Sequence, residues 1–225
     1  MANVGFRIFT KITRPPQDLV EAFRGLATPN IADNMSRFFC VDAAIRPMSK
    51  GHILGTAFTV RARPGDNLLF HKALDLAQPG DVIVVDGQGE MSNSLCGEIM
   101  VRYAIKRNLA GFLIDGAIRD SGPISEMDFP VYARGAQPKG PYKDGPGEIN
   151  VPVAIGGVVI NPGDILVGDQ DGVVVICPAD AAEILAKTKA TQAKEAGIFQ
   201  AIENGAWDRA WVDKTLQEKG CEIIE

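Results

Sequence analysis

The chain has 225 residues, 46% of them hydrophobic, and a formal net charge of −5. That length and apolar content suffice for one substantial core, so a single domain over residues 1–225 is expected, and the acidic balance argues against a nucleic-acid-binding surface. No stretch has the length and apolarity of a signal peptide or membrane span, and the four cysteines (Cys40, Cys96, Cys177, Cys221) lie far apart without CxxC spacing, which together predict a cytoplasmic protein with free thiols.

Pro15-Pro16 ends a leading segment, and Leu19, Val20, Phe23 and Leu26 then form a helical stripe. Thr28 before Pro29 predicts an N-cap and a short helix to about Met35, with Asp33 either lining a site or exposed. Alternation from Ala57 to Arg63 predicts a half-buried strand. Asp66-Asn67 open a helix carrying Leu68, Leu69, Ala73, Leu74 and Leu76, which Gln78-Pro79-Gly80 ends. His71 lies on this helix. His52 is the only other histidine, so a His-cluster metal site is not available. Asp81 to Val85 reads as a short strand ending at Asp86-Gly87, and Gln88 to Ser94 as a mobile lip over a pocket.

The stretch Gly97 to Asp120 carries the most chemistry. Ile99, Ala104 and Ile105 predict an amphipathic helix from Glu98 to about Arg107; Ala110 to Ile114 reads as a buried strand closing at Asp115-Gly116, with Arg119-Asp120 in the loop beyond. A glycine before a helix leaves the amides of Glu98, Ile99 and Met100 open to a carboxylate. Arg119 offers a planar fork of donors, and Asp120 a hard oxygen ligand for Mg²⁺ or Mn²⁺. Read alone, Arg119-Asp120 also fits a surface turn pair, with Glu98 complementing the helix dipole. Cys96, with no histidine near it in sequence, reads as packing.

Phe129 to Ala133 is a further strand. The Gly/Pro-rich stretch Arg134 to Glu148 reads as a surface or interface loop whose Arg134, Lys139 and Lys143 either meet an acidic substrate or are solvated. Short β-runs at Val151–Ala154, Val158–Ile160, Asp164–Val167 and Val173–Ile176 predict antiparallel hairpins. A long helix starts at Pro178-Ala179-Asp180, and a last one runs from Trp207 to Gln217, with Trp207 and Trp211 on one face.

The run G-E-I-M followed by A-G-F-L-I-D-G-A-I-R-D resembles the signature of the RraA-like family, which includes the 4-hydroxy-4-methyl-2-oxoglutarate and 4-carboxy-4-hydroxy-2-oxoadipate aldolases. Thr28–Asp33, Gly55–Val60, Pro79–Asp86 and Asn161–Val173 are similar to further family segments in the same order, covering about residues 20–200. The resemblance implies a three-layer β/β/α swivelling-type α/β fold with its core over about 20–187 and C-terminal helices over about 178–219. It also implies a homotrimer or a homohexamer.

For function it implies a divalent-metal-dependent pyruvate aldolase acting on a 4-hydroxy-2-oxo acid, with oxaloacetate decarboxylation as a side activity. Asp120 would hold Mg²⁺ or Mn²⁺ directly, and Glu98 would act through water. Glu195, also through water, matches an acid that comes from the adjacent subunit. Gly97, Glu98, Ile99, Met100 and Arg119 would bind substrate, and Arg119 would stabilise the pyruvate enolate. The chain departs from the pattern twice: Pro123 stands where family aldolases usually place an acid, the next acid being Glu126, and Glu98 replaces the commoner aspartate. The departures imply another 2-oxo acid or no aldolase activity, and the alternative is the family's other branch, a non-catalytic regulator that binds and inhibits a ribonuclease.

Overall fold

The computed structural model of the protein describes residues 3–224. In chain order its elements are β1 (Phe6–Ile8), α1 (Gln17–Glu21), α2 (Thr28–Asp33), β2 (Arg46–Pro47), β3 (Leu54–Ala62), α3 (Leu68–Leu76), β4 (Asp81–Cys96), α4 (Glu98–Lys106), β5 (Gly111–Ile118), α5 (Ser121–Ser125), β6 (Val131–Ala136), β7 (Gly147–Ile149), β8 (Val153–Ile155), β9 (Val158–Ile160), β10 (Ile165–Asp169), β11 (Gly172–Ile176), α6 (Ala181–Glu203) and α7 (Ala210–Glu218). The expected α/β class with C-terminal helices is what is found.

The main sheet runs β1-β7-β3-β4-β5-β6-β2, with β10 pairing on β3 and β11 on β10. Its centre, β3-β4-β5-β6, is parallel, so the carboxyl ends of these strands share one edge, where α/β proteins place their ligands. All eight residues of β5 are buried, because layers cover both faces of the sheet. On one face α3 and α4 pack Phe70, Val101 and Ala104 onto Phe58, Ile83 and Phe112. Phe112 stacks edge-on with both Phe70 and Phe129 at 5.0 Å between ring centroids. On the other face the β8–β9 hairpin contributes Val153, Ile155, Val158 and Ile160 to a cluster with Val82, Val84, Leu113 and Tyr132. A third cluster joins Val20, Phe23 and Ile31 to β10, β11 and the first turn of α6.

The chain divides into two compact units, the first ending at Thr188 and the second beginning at Lys189. The second holds the rest of α6 together with α7 and exposes Phe199, Ile202 and Trp211. Trp207 precedes α7 and carries the Arg209 guanidinium over its ring at 5.0 Å, so the two tryptophans do not share a helix face.

The strands outrun their sequence signals. β4 continues unbroken through the predicted lip to Cys96, and its pairing on β5 shifts register after Asp86, Glu90 and Ser94. The bulges take up the glycine-rich stretch, with Gln88 and Gly89 at positive φ (58° and 71°). Likewise β5 runs past Asp115-Gly116 to Ile118. Thr28 is the first helical residue of α2, behind Ala27 as N-cap. Its hydroxyl donates to Asp169 Oδ1 at 2.6 Å rather than capping the helix.

Two buried acids set testable stabilities. The Arg14 fork donates to both oxygens of Asp81, at 2.8 and 2.6 Å, and the Asp81 side chain is 1% exposed. Arg14→Met strands that carboxylate and is expected to lower the unfolding free energy by about 3 kcal/mol in urea titration. Asp86 lies within β4, at the last residue before its first bulge, and pairs beside Asp115 of β5. Burial pushes its carboxyl up, the Gln88 N–H opposes this, and the Asp115 charge adds to it. A raised folded-state value means that its contribution is present when it is protonated and fades as pH rises through that value. The melting temperature of the wild type minus that of Asp86→Asn should therefore fall between pH 4 and pH 7.

Candidate active site

The site forms where β4 ends, α4 begins and β5 ends. Gly97, the N-cap of α4, has extended backbone (φ −146°, ψ −178°) that any residue adopts. Glycine is required here by space: a Cβ would stand 2.5 Å from Asp120 Oδ2 and 3.1 Å from Arg119 Nε. The Arg119 N–H donates to the Cys96 carbonyl at 2.8 Å, which ties the end of β5 to the end of β4. Asp120 caps the short helix α5 in the left-handed region (φ 55°, ψ 35°), a conformation that aspartate tolerates better than most residues. It turns the carboxylate back over Gly97, where Oδ2 accepts the Glu98 N–H at 3.0 Å and lies 3.7 Å from Arg119 Nε.

A cavity of about 160 Å³ opens here, and Gly97, Ile99, Met100, Arg119 and Asp120 line it together. Asn67, His71, Leu95, Cys96, Pro141 and Lys143 complete the lining. Of the three helix-start amides expected to be open, Glu98's goes to Asp120 and Met100's bonds back to the Gly97 carbonyl at 3.1 Å, which leaves that of Ile99. The Glu98 carboxylate pairs with Arg102 along the helix at 2.6 Å and does not line the cavity. Glu195 lies on α6 in the second compact unit. Glu126, the first acid after Pro123, pairs with Lys50 at 2.6 Å on the surface. Asp33 is exposed and pairs with Arg37 at 2.8 Å. Burial pushes the Cys96 thiol far above its usual value, which fits a packing role.

The covering element is not the predicted lip but the strap 139–145. Its Lys139 carbonyl accepts from both the backbone and the hydroxyl of Ser94, at 2.8 and 2.9 Å. Asn93 Nδ2 donates to the Gly140 carbonyl at 2.5 Å. Tyr142 N–H donates to Gly65, and the Tyr142 carbonyl accepts from Asn67 N–H, at 2.8 and 3.0 Å. Asp66, 2% exposed, receives the amides of Asp144 and Gly145 on Oδ2 at 2.7 and 2.9 Å. Lys143 is thereby delivered to the cavity. Arg134 instead pairs with Asp115 on the sheet, and its pKa is raised by that bond. Asn67 and Asp66 were legible only as a helix start. Nothing local in their sequence shows that a strap about 75 residues later would close on them.

A model of the RraA-like family, described as Aldolase/RraA, matches residues 28–175. A protein of Halalkalibacterium halodurans named "Putative 4-hydroxy-4-methyl-2-oxoglutarate aldolase" is 37% identical over 201 residues, 88% of this chain and 96% of the relative. Among solved structures, an uncharacterized protein from Pseudomonas syringae pv. tomato superposes with TM-score 0.76 at 27% identity, covering 86% of this chain and 96% of that one. The RNA-processing inhibitor RraA from Thermus thermophilis does so with TM-score 0.62 at 30% identity, covering 67% and 92%. The matched span takes in the whole cavity-forming segment from Gly97 to Asp120, and the chain belongs to the RraA-like family.

Proposed function

We propose that the protein is a divalent-metal-dependent lyase that cleaves a 4-hydroxy-2-oxo acid, such as 4-hydroxy-4-methyl-2-oxoglutarate, to pyruvate and a second 2-oxo acid. The observation that carries the reading is the space kept open by Gly97, which brings the Asp120 carboxylate and the Arg119 guanidinium together at the mouth of one cavity. The likeness to the Halalkalibacterium protein supports the same reaction class.

The donor set fits a hard ion. Among the described residues no three His, Cys, Asp or Glu side chains converge as a cage. Mg²⁺ and Mn²⁺ are suited to such a site, since Mg²⁺ in particular takes one or two carboxylates and fills its remaining positions with water and substrate oxygens. Asp120 would hold the ion, with Glu98 and a neighbouring subunit's Glu195 acting through water; for Glu98 this requires release from Arg102. When bound, the ion would supply Lewis-acid polarisation of the 2-oxo group.

The chain's own residues account for the rest. The Ile99 amide at the start of α4 receives the pyruvyl carboxylate, assisted by the positive end of the helix dipole. Arg119 donates to the oxygen on which negative charge gathers as the C–C bond breaks, an interaction stronger in the transition state than in the ground state. Leu95, Cys96 and Met100 are buried and keep one wall of the cavity apolar, which strengthens these electrostatic contacts. Oxaloacetate decarboxylation passes through the same enolate and is expected as a side activity. Assembly as a trimer or as two trimers would bring a neighbour's Glu195 to the site.

The test is pyruvate release coupled to NADH oxidation, with 4-hydroxy-4-methyl-2-oxoglutarate and oxaloacetate, each with Mg²⁺, Mn²⁺ or EDTA. Oxaloacetate requires subtraction of its spontaneous and metal-only decarboxylation. Turnover that EDTA abolishes supports the lyase. Turnover of oxaloacetate alone points to a different 2-oxo acid, with Pro123 as the suspect. Turnover of neither favours the second reading, a ribonuclease-binding regulator, which draws on the likeness to the Thermus inhibitor.

A further inference from the structure

The strap 139–145 lies between β6 and β7 and has no helix or strand of its own. Tyr142, Lys143 and Asp144 are exposed, and what holds the strap is its main chain. One foot, at Lys139 and Gly140, is bound by Ser94 and Asn93 of β4. The other foot rests on Asp66, which is 2% exposed and stands two positions before α3. Pro141, which lines the cavity, lies between the two feet, so both set its place as part of the roof.

The two oxygens of Asp66 serve different elements. Oδ1 accepts the Leu68 N–H at 2.9 Å, a local turn that opens α3. Oδ2 accepts the Asp144 and Gly145 N–H groups together, at 2.7 and 2.9 Å. The turn into α3 needs one acceptor, which a serine hydroxyl could supply without burying a charge. Three amides on two oxygens call for a carboxylate, since an asparagine would turn its NH₂ group toward one set of donors. The buried charge is therefore explained by the strap.

We infer that Asp66 is a positioning residue of the proposed lyase: through Oδ2 it holds the strap down as the roof of the cavity and so sets substrate affinity without touching substrate. The inference rests on the lyase reading for its catalytic meaning, whereas the fastening itself does not. A roof meets the ground state and the transition state alike, so loosening it raises KM and leaves kcat nearly unchanged. A merely structural role gives the opposite pattern, because a smaller folded fraction lowers the apparent kcat at constant KM.

The experiment compares the full-length wild type with Asp66→Ser and Asp66→Ala. Serine keeps the turn to Leu68 but is too short to reach the strap, and alanine loses both. Amide hydrogen exchange followed by mass spectrometry in Asp66→Ser should accelerate about tenfold or more over 142–145, with α3 and β5 unchanged. KM for pyruvate release from 4-hydroxy-4-methyl-2-oxoglutarate should rise about tenfold, with kcat within about twofold of the wild type. Asp66→Ala should show the same changes and faster exchange in the first turn of α3. Unchanged exchange over the strap, acceleration over the whole chain, or a lower kcat at constant KM overturns the inference. Faster strap exchange in a protein whose wild type releases no pyruvate keeps the fastening and removes the lyase reading. Pyruvate release with a KM that Asp66→Ser does not change keeps the lyase and overturns the positioning role.

Discussion

Arg119→Ala and Asp120→Ala are each expected to lower metal-dependent pyruvate release by about 10²- to 10³-fold, the usual loss when one preorganised group at a charge-developing centre is removed. The two should differ in kind. Arg119→Ala removes a contact that strengthens as the enolate forms, so kcat falls more than KM rises. Asp120→Ala removes the proposed direct protein ligand, so its defect should be partly offset by raising Mn²⁺, and Mn²⁺ titration followed by electron paramagnetic resonance should show weakened binding. The Arg119 side chain is about two-fifths exposed (43%), so its substitution is not expected to move the melting temperature by more than a degree or two. Asp120→Ala also removes the acceptor of the Glu98 N–H and places alanine at positive φ, and should lower it by a few degrees. A variant that retains full activity would remove its residue from the mechanism.

Gly97→Ala should be nearly as damaging, although it adds a single methyl. The backbone there is extended, so alanine brings no conformational penalty. Its Cβ would meet Asp120 Oδ2 at 2.5 Å and Arg119 Cγ and Nε at 3.1 Å. The neighbours that must give way are the two proposed catalytic side chains, and displacement of a reacting group by about 1 Å costs on the order of 10²-fold. The expected result is a folded protein, with an unchanged circular dichroism spectrum and melting temperature, whose pyruvate release has fallen about 10²-fold. If Gly97→Ala were fully active, the close approach at Gly97 would not be what positions Asp120.

Much of this site could be read before any coordinates. Glycine before an amphipathic helix, and Arg-Asp after a buried strand, are local patterns, and the parallel β4–β5 pair places both at one sheet edge. The errors are of another kind. Gln88 to Ser94 read as a lip because glycines and serines usually mean loop, whereas bulges against β5 keep it in the sheet. Thr28 read as a cap because the helix was near in sequence, whereas its true partner, Asp169, is 141 positions away. The Glu98 carboxylate, expected to act through water, pairs with Arg102 at i,i+4 along the helix surface. Long-range pairing decides the first two of these cases, and no periodicity encodes it.

The strap is fastened to the body through its own main chain: the carbonyls of Lys139, Gly140 and Tyr142 accept, and the amides of Tyr142, Asp144 and Gly145 donate. The side chains that complete the fastening, Asp66, Asn93 and Ser94, belong to the body. The roof of the pocket therefore behaves as an exchangeable part. The residues at positions 141 and 143 can be rewritten by drift or by design without unseating the loop, while the Gly97–Arg119–Asp120 centre stays fixed. Within this architecture, substrate range can diversify through a handful of codons at almost no cost to folding.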